Sequence, residues 1–259
     1  MIMMLCTAGD AHGALDRLYA DVLDLERAIG VSFDWVLHVG DFGIWPDPDR
    51  VDKATRHHDG AGDFPRWIAN AHETPRRTVF IKGNHEDFEW LDARPTREVH
   101  PGLHYLRNGE VFELTARGEI LRVGGIGGCH GPSNFERPSS SLAGYSKRHY
   151  TRDEIEKLGT RADLDIVMTH DAPKGVRFPR HRRGEGFESE AAGLDDLLAR
   201  TRPRVCFFGH HHTRLDAQVA GVPCVGLNKV ARPGNLVALE MSPGGRGYVL
   251  LGEWPHARD

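Results

Sequence analysis

The chain has 259 residues, 27% of them charged and 39% hydrophobic, with a formal net charge of −4. That length suffices for a buried core in one large domain, and the balance excludes a disordered chain. The small negative charge argues against a protein that coats nucleic acid over its whole surface, and no apolar run approaches the roughly 20 residues of a membrane helix.

The opening MIMMLCTAGD lacks a basic segment and reaches Asp10 at once, so no signal peptide is expected. Ile2–Thr7 is a short apolar run halted by Gly9 and Asp10, the pattern of a buried strand. Leu15, Leu18, Val22, Leu25 and Ile29 then fall on one face of a helix over Ala14–Ile29, which Gly30 ends. Trp35–Val39 reads as a second strand, ending at Gly40-Asp41. The stretch from Phe42 to Gly62 is rich in Pro, Asp and Gly and reads as an exposed excursion. Phe64–His72 reads as helical, and Thr78–Lys82 as a third strand that ends at Gly83-Asn84-His85-Glu86.

Val111–Leu114 and Ile120–Gly125 form a candidate hairpin. From Ile126 to Tyr150 the chain is rich in Gly, Ser and Pro without periodicity, and a loop of that length in a compact domain is usually functional or disordered. A helix over about Thr151–Leu158 leads to strand Asp165–Met168, which ends at Thr169-His170. Strand Arg204–Phe208 ends at Gly209-His210-His211-His212, and Leu215–Val219, Val222–Gly226, Leu236–Glu240 and Tyr248–Leu251 close the chain. The four cysteines lie far apart without a CxxC pair, so reduced thiols and a cytoplasmic protein are expected. No repeat or linker divides the chain, which predicts a single layered α/β domain over residues 1–259.

Five predicted strands thus end in polar residues: Asp10 and His12, Asp41, Asn84 and His85, His170, and His210 and His212. In open α/β sheets the carboxyl ends of strands face a common crevice where ligands bind. Asp, Asn and His offer oxygen and imidazole donors without thiolate, a set that suits Mn, Fe or Zn ions. With His85 set aside, seven such ligands are too many for one ion and about right for two, which can clamp an in-line displacement at phosphorus.

With these motifs in order, the sequence resembles the calcineurin-like metallophosphoesterases, whose series is D-x-H, GD, GNH[ED], a lone His and GH-x-H. The matching segments are Asp10-Ala11-His12, Gly40-Asp41, Gly83-Asn84-His85-Glu86, His170 and Gly209-His210-His211-His212. The resemblance implies a four-layer α/β/β/α sandwich with two divalent metal ions (Mn2+, Fe2+ or Zn2+). It implies one ion on Asp10, His12, Asp41 and His212 and the other on Asp41, Asn84, His170 and His210, with Asp41 bridging. It assigns catalysis to His85, beside the ions rather than on them, and hydrolysis to a hydroxide that bridges the ions. His211 is expected to point away.

A further resemblance, over roughly residues 1–241, is to the catalytic domain of RNA lariat debranching enzymes. It rests on the metal motifs together with Tyr105-Leu106, Gly124-Gly125-Ile126-Gly127-Gly128, His149-Tyr150, Thr169-His170-Asp171-Ala172-Pro173, and Gly226-Leu227-Asn228-Lys229 through Leu236–Glu240. It implies a phosphodiesterase acting on RNA or nucleotides and places a substrate-recognition loop at about 126–150. Many debranching enzymes carry Cys where this chain has Asp10. The alternatives are a phosphomonoesterase, a cyclic-nucleotide or small-molecule diesterase, and a non-catalytic scaffold. The segment after Gly40-Asp41 lacks the second acid of the GDxxDRG pattern of protein Ser/Thr phosphatases. The tract Lys174–Arg183 places five Lys or Arg in ten residues, so Lys174 and Arg177, with Arg148 and Arg152, are candidate phosphate contacts, and Phe178 and Phe187 candidate stacking partners for a base. The expected partner is a phosphate ester, with no membrane.

Overall fold

The computed structural model describes residues 2–58, 62–179, 184–242, 244–245 and 247–255. The last four residues of the basic tract, 180–183, lie outside that description.

The chain builds one sheet, leaves it for a second, and returns. The first half supplies β1 (Met3–Ala8), β2 (Trp35–His38), β3 (Thr78–Phe80), β4 (Glu98–His100) and β5 (Leu103–Tyr105). The second sheet takes β6 (Glu110–Ala116), β7 (Glu119–Ile126), β8 (Ile166–Thr169), β11 (Val205–Phe208), β12 (Leu215–Val219) and β13 (Val222–Gly226), while β9 (Arg177–Phe178) and β10 (Phe187–Glu188) pair separately. Then β14 (Leu236–Met241) and β15 (Val249–Glu253) return to the first sheet. The orders are β15-β14-β1-β2-β3-β5-β4 and β12-β13-β11-β8-β7-β6. Strands β1, β2, β3 and β5 run parallel, as do β7, β8, β11 and β13.

The period of two along each strand makes the layers. Met3 and Leu5 of β1 face inward with Leu37, Val79, Val123, Ile166, Met168 and Phe207, so the two sheets share one core. The alternate residues Cys6 and Ala8 face outward, under Leu15, Leu18, Val22 and Leu25 of α1 (Leu15–Ile29) and Phe64 and Trp67 of α2 (Asp63–Ala69). On the far side Val167, Cys206 and Cys224 pack under Ile155 and Leu158 of the helix over Arg152–Gly159 and Leu194, Leu197 and Leu198 of the helix over Leu194–Thr201. This is the expected α/β/β/α sandwich. Parallel pairing brings the carboxyl ends of β1, β2 and β3 together from one sheet and those of β8 and β11 from the other, at a single crevice.

Three expectations are corrected. The segment after Asp41 is not wholly exposed: Phe42, Ile44, Trp45, Val51 and Thr55 are buried. Its amides at Phe42, Gly43 and Ile44 donate to the Glu86 carboxylate at 2.7, 3.1 and 2.6 Å, which folds the segment's start beneath the crevice. The eight-residue helix Leu194–Thr201 was missed, because its apolar face offers only Leu194, Leu197 and Leu198. Strands β4 and β5 were missed too, being only three residues each. The 126–150 stretch holds a short helix, Pro132–Phe135, and two 3-10 turns. Its neck is closed where the Cys129 amide donates to the Arg148 carbonyl at 3.0 Å. Among the described residues no helix is long and apolar enough to cross a membrane.

Candidate metal centre

Each strand delivers its polar residue through an abrupt turn. His12, Asp41, His210 and His212 all have positive φ, at 48°, 50°, 63° and 48°. Non-glycine residues in this region are strained, and such strain collects where a side chain must be aimed. Two motif glycines make room for carboxylates. A Cβ on Gly83 would stand 1.9 Å from Asp41 Oδ1, and one on Gly209 2.2 Å from Asp10 Oδ1.

The donor atoms form adjoining groups. Asp10, His12 and His212 place one ligand atom each within 4.8 Å of one another, and so do Asp10, Asp41 and His170. His212 Nε2 lies 3.0 Å from Asp10 Oδ2 and 3.1 Å from His12 Nε2. Asp41 Oδ2 lies 3.8 Å from His12 Nε2 and 3.6 Å from His170 Nε2, so it stands between the two groups. Asn84 Oδ1 is 2.9 Å from His170 Nε2. The His210 amide donates to both oxygens of Asp10, at 3.1 and 3.2 Å. The His210 ring belongs to a third group with Asp171 and His211 and lies 5.0 Å, centroid to centroid, from His170. His211 Nε2 lies 3.1 Å from Asp171 Oδ1, and Phe178 and Phe187 pack against the His211 ring.

The charge balance fits cations. Burial alone would raise the Asp10 and Asp41 carboxyls. The hydrogen bond from His212 holds Asp10 below its ordinary value, and the charges of His170 and His12 do the same for Asp41. Burial pushes the His12 imidazole down, and pushes His210 down to about 4. Two buried carboxylates therefore rely for counter-charge on imidazoles of which burial drives His12 and His210 toward the neutral form, while the bond to Asp10 raises His212, an arrangement that added cations would relieve. His170 sharpens the point. Its Nδ1 hydrogen-bonds the Val39 carbonyl at 2.9 Å, which orients the ring and aims Nε2 at the Asn84 side chain, 2.9 Å away. The residues present thus fit divalent ions with oxygen and nitrogen ligands.

His85 stands beside these groups. Its amide donates to Asp41 Oδ1 at 2.8 Å, and its Nδ1 lies 2.7 Å from Asp52 Oδ2. Burial alone would lower the His85 imidazole, but the Asp52 hydrogen bond and the charges of Asp41 and Asp52 raise it above its ordinary value. Burial would raise Asp52, yet the bonds from His85 and the Thr55 amide hold it at about 2. Asp52 was not legible in the sequence, because it lies in the Pro-, Asp- and Gly-rich stretch that reads as an exposed excursion. Nor was His58, whose ring lies flat on His12 at 3.9 Å with 4° between planes. Two histidines in a polar excursion, His57 and His58, were the only available signal.

The candidate substrate residues are more dispersed. Arg148 stacks on the exposed Tyr145 ring at 4.1 Å. Arg152 is held by both oxygens of Glu136, at 2.9 and 2.6 Å. Arg177 pairs with Glu188 at 2.8 Å, and Lys174 is exposed. Phe178 is buried, and its ring stacks on Phe187 at 4.6 Å, so Phe178 offers no free face to a base.

The calcineurin-like phosphoesterase family model matches residues 3–214. The chain is 26% identical over 236 residues to the lariat debranching enzyme of Schizosaccharomyces pombe, covering 82% of this chain and 48% of that protein. It is 28% identical over 241 residues to the lariat debranching enzyme of Danio rerio, covering 83% of this chain and 41% of that protein. The chain thus spans less than half the length of these two relatives. A solved structure, the NAD nucleotidase of Haemophilus influenzae, shares the fold with a TM-score of 0.51 at 12% identity, covering 98% of this chain and 49% of that one. By its family model, and with the donor groups described above, the chain belongs to the calcineurin-like phosphoesterases, a family of metal-dependent hydrolases of phosphoric esters.

Proposed function

We propose that this centre holds two divalent cations and hydrolyses a phosphodiester of RNA or of a nucleotide. The observation that carries the reading is the place of Asp41 Oδ2, between His12 Nε2 and His170 Nε2. Asp10, His12, Asp41 and His212 would hold one ion, and Asp41, Asn84, His170 and His210 the other. Bound there, such ions supply an activated water and neutralise charge on the phosphoryl oxygens. His85, braced by Asp52, which favours its protonated form, would give its proton to the leaving oxygen. The Asp41 carboxylate fixes the His85 backbone, so the proton donor and the ligand set share one anchor.

The relatives named lariat debranching enzyme favour RNA, including 2′–5′ linkages, as substrate. The 126–150 loop would recognise it. Gly144 and Tyr145 of that loop line a cavity of about 250 Å³ together with Trp45, Asp52 and Asn84, which brings the loop to the edge of the centre. Arg148 and Arg152, with Lys174 and Arg177, would meet phosphates along the chain. Four free thiols accord with a reducing, cytoplasmic compartment.

Turnover of manganese-loaded protein against bis(p-nitrophenyl) phosphate, p-nitrophenyl phosphate, 2′–5′ and 3′–5′ linked RNA and cyclic nucleotides tests this. The reading expects diesters to exceed the monoester by at least about tenfold. Monoester preference would overturn it.

A further inference from the structure

A cavity of about 470 Å³ opens beside the centre, within the range of small-ligand pockets. One wall is the ring pair of His12 and His58, so the cavity begins a single ring away from the candidate ligands. The opposite wall is the turn after β13. That turn is tied to the end of β1: the Val230 amide donates to the Asp10 carbonyl at 2.8 Å, and the Gly9 amide to the Asn235 carbonyl at 2.9 Å. Lys229 is therefore the immediate neighbour of a residue bonded to Asp10. The Arg232 amide closes the turn on the Lys229 carbonyl at 3.2 Å, so both cations line the same opening.

The carboxylates in this wall are already engaged. Asp16 and Asp63 take Arg66 at 2.6 and 2.8 Å, and Asp16 also accepts the Trp67 indole N–H at 2.8 Å. Arg17 is committed to Asp21 at 2.7 Å. Among the described residues the Arg232 guanidinium has no hydrogen bond or ion pair. The charge of Lys229 is felt at His58 and at His212, where it opposes protonation. A cavity with two cations on one short turn, neutralised acids and a direct border with the reaction centre suits an anion joined to the reacting group. In a nucleic-acid diester that anion is the next phosphate.

Resting on the diesterase reading, we propose that Lys229 and Arg232 bind the phosphate that neighbours the scissile one, so that the enzyme prefers a diester flanked by a further phosphate. Lys229 and Arg232 act as specificity-determining residues, and the His12–His58 ring pair sets the distance between the two phosphates.

The test is calorimetric binding of adenosine 3′,5′-bisphosphate and of AMP to manganese-loaded protein of residues 1–259 carrying His85→Ala, which is expected to suppress turnover. The bisphosphate should bind about tenfold more tightly than AMP, the gain expected of a charge-assisted contact. In the added Lys229→Ala/Arg232→Ala double variant that ratio should fall to about twofold. Equal affinity for the two ligands before the double substitution, or a preference that survives it, overturns the proposal. Failure of the diesterase reading shows separately, as absence of bis(p-nitrophenyl) phosphate hydrolysis by the otherwise native chain.

Discussion

Asp52 Oδ2 stands 2.7 Å from His85 Nδ1, so the residue next to the candidate ligand Asn84 carries a carboxylate brace delivered by the excursion after Asp41. The brace fixes which ring nitrogen holds the inner proton and leaves Nε2 for the substrate.

Replacing Asp52 by Asn removes its hydrogen bond and its charge from the His85 imidazole, so burial, which lowers it, is opposed only by the charges of Asp41 and Glu86. NMR titration of metal-free protein should place the His85 pKa lower after the change than before it. A group that must be protonated loses its effect as pH rises through its pKa. The alkaline limb of the pH–rate profile should therefore move to lower pH in Asp52→Asn, with turnover of an unactivated diester falling about ten- to a hundredfold. Bis(p-nitrophenyl) phosphate, whose leaving group needs little protonation, should suffer less.

Gly209→Ala places a methyl group where Asp10 Oδ1 lies, 2.2 Å from the ideal Cβ. The fold should survive with a loss of about 1–3 kcal/mol. Manganese affinity should fall at least about tenfold, because Asp10 touches both donor groups. Calorimetric titration beside circular dichroism separates the two effects.

Chelation should destabilise the protein, since it leaves the buried carboxylates of Asp10 and Asp41 with histidine rings as their only partners in place of divalent charge. With free manganese at about a hundred times its Kd, binding contributes about 2.7 kcal/mol, or roughly 5–10 °C in Tm for a chain of this size. Thermal melts with EDTA and after manganese is restored would read the shift.

Lys82 ties the 126–150 loop, the candidate recognition element, to the end of β3. Its ammonium donates to the Lys147 carbonyl at 2.7 Å and the His149 carbonyl at 3.4 Å, while its own carbonyl accepts the Gly128 amide at 2.9 Å. Burial pushes the ammonium's pKa down. Lys82→Met keeps the backbone bond and removes the other two. It should open residues 129–148 to limited proteolysis and raise KM for RNA more than it lowers kcat.

The crevice was legible because burial on both faces makes parallel strands continuous apolar runs, so the polar residue that ends each run is conspicuous. Asp10, Asp41, Asn84, His170 and His210 could be read one strand at a time. What was not legible depends on the path between strands. The approach of Asp52 to His85 follows from the fold of the segment after Asp41, which Glu86 gathers through three amides, and no local periodicity encodes that. The stacking of His58 on His12 is hidden for the same reason. Phe178 misled in the other direction: a phenylalanine in a basic tract suggests a base platform, but β9 and β10 turn it into core.

Anomalous diffraction from a crystal grown with manganese tests the central claim most directly. Two peaks roughly 3.5–4 Å apart are expected, one in reach of Asp10, His12 and His212, the other in reach of Asn84 and His170, with the Asp41 carboxylate between them. A crevice without manganese while the metal binds elsewhere on the molecule, or a single peak that leaves Asp41 with one neighbour, would contradict the account.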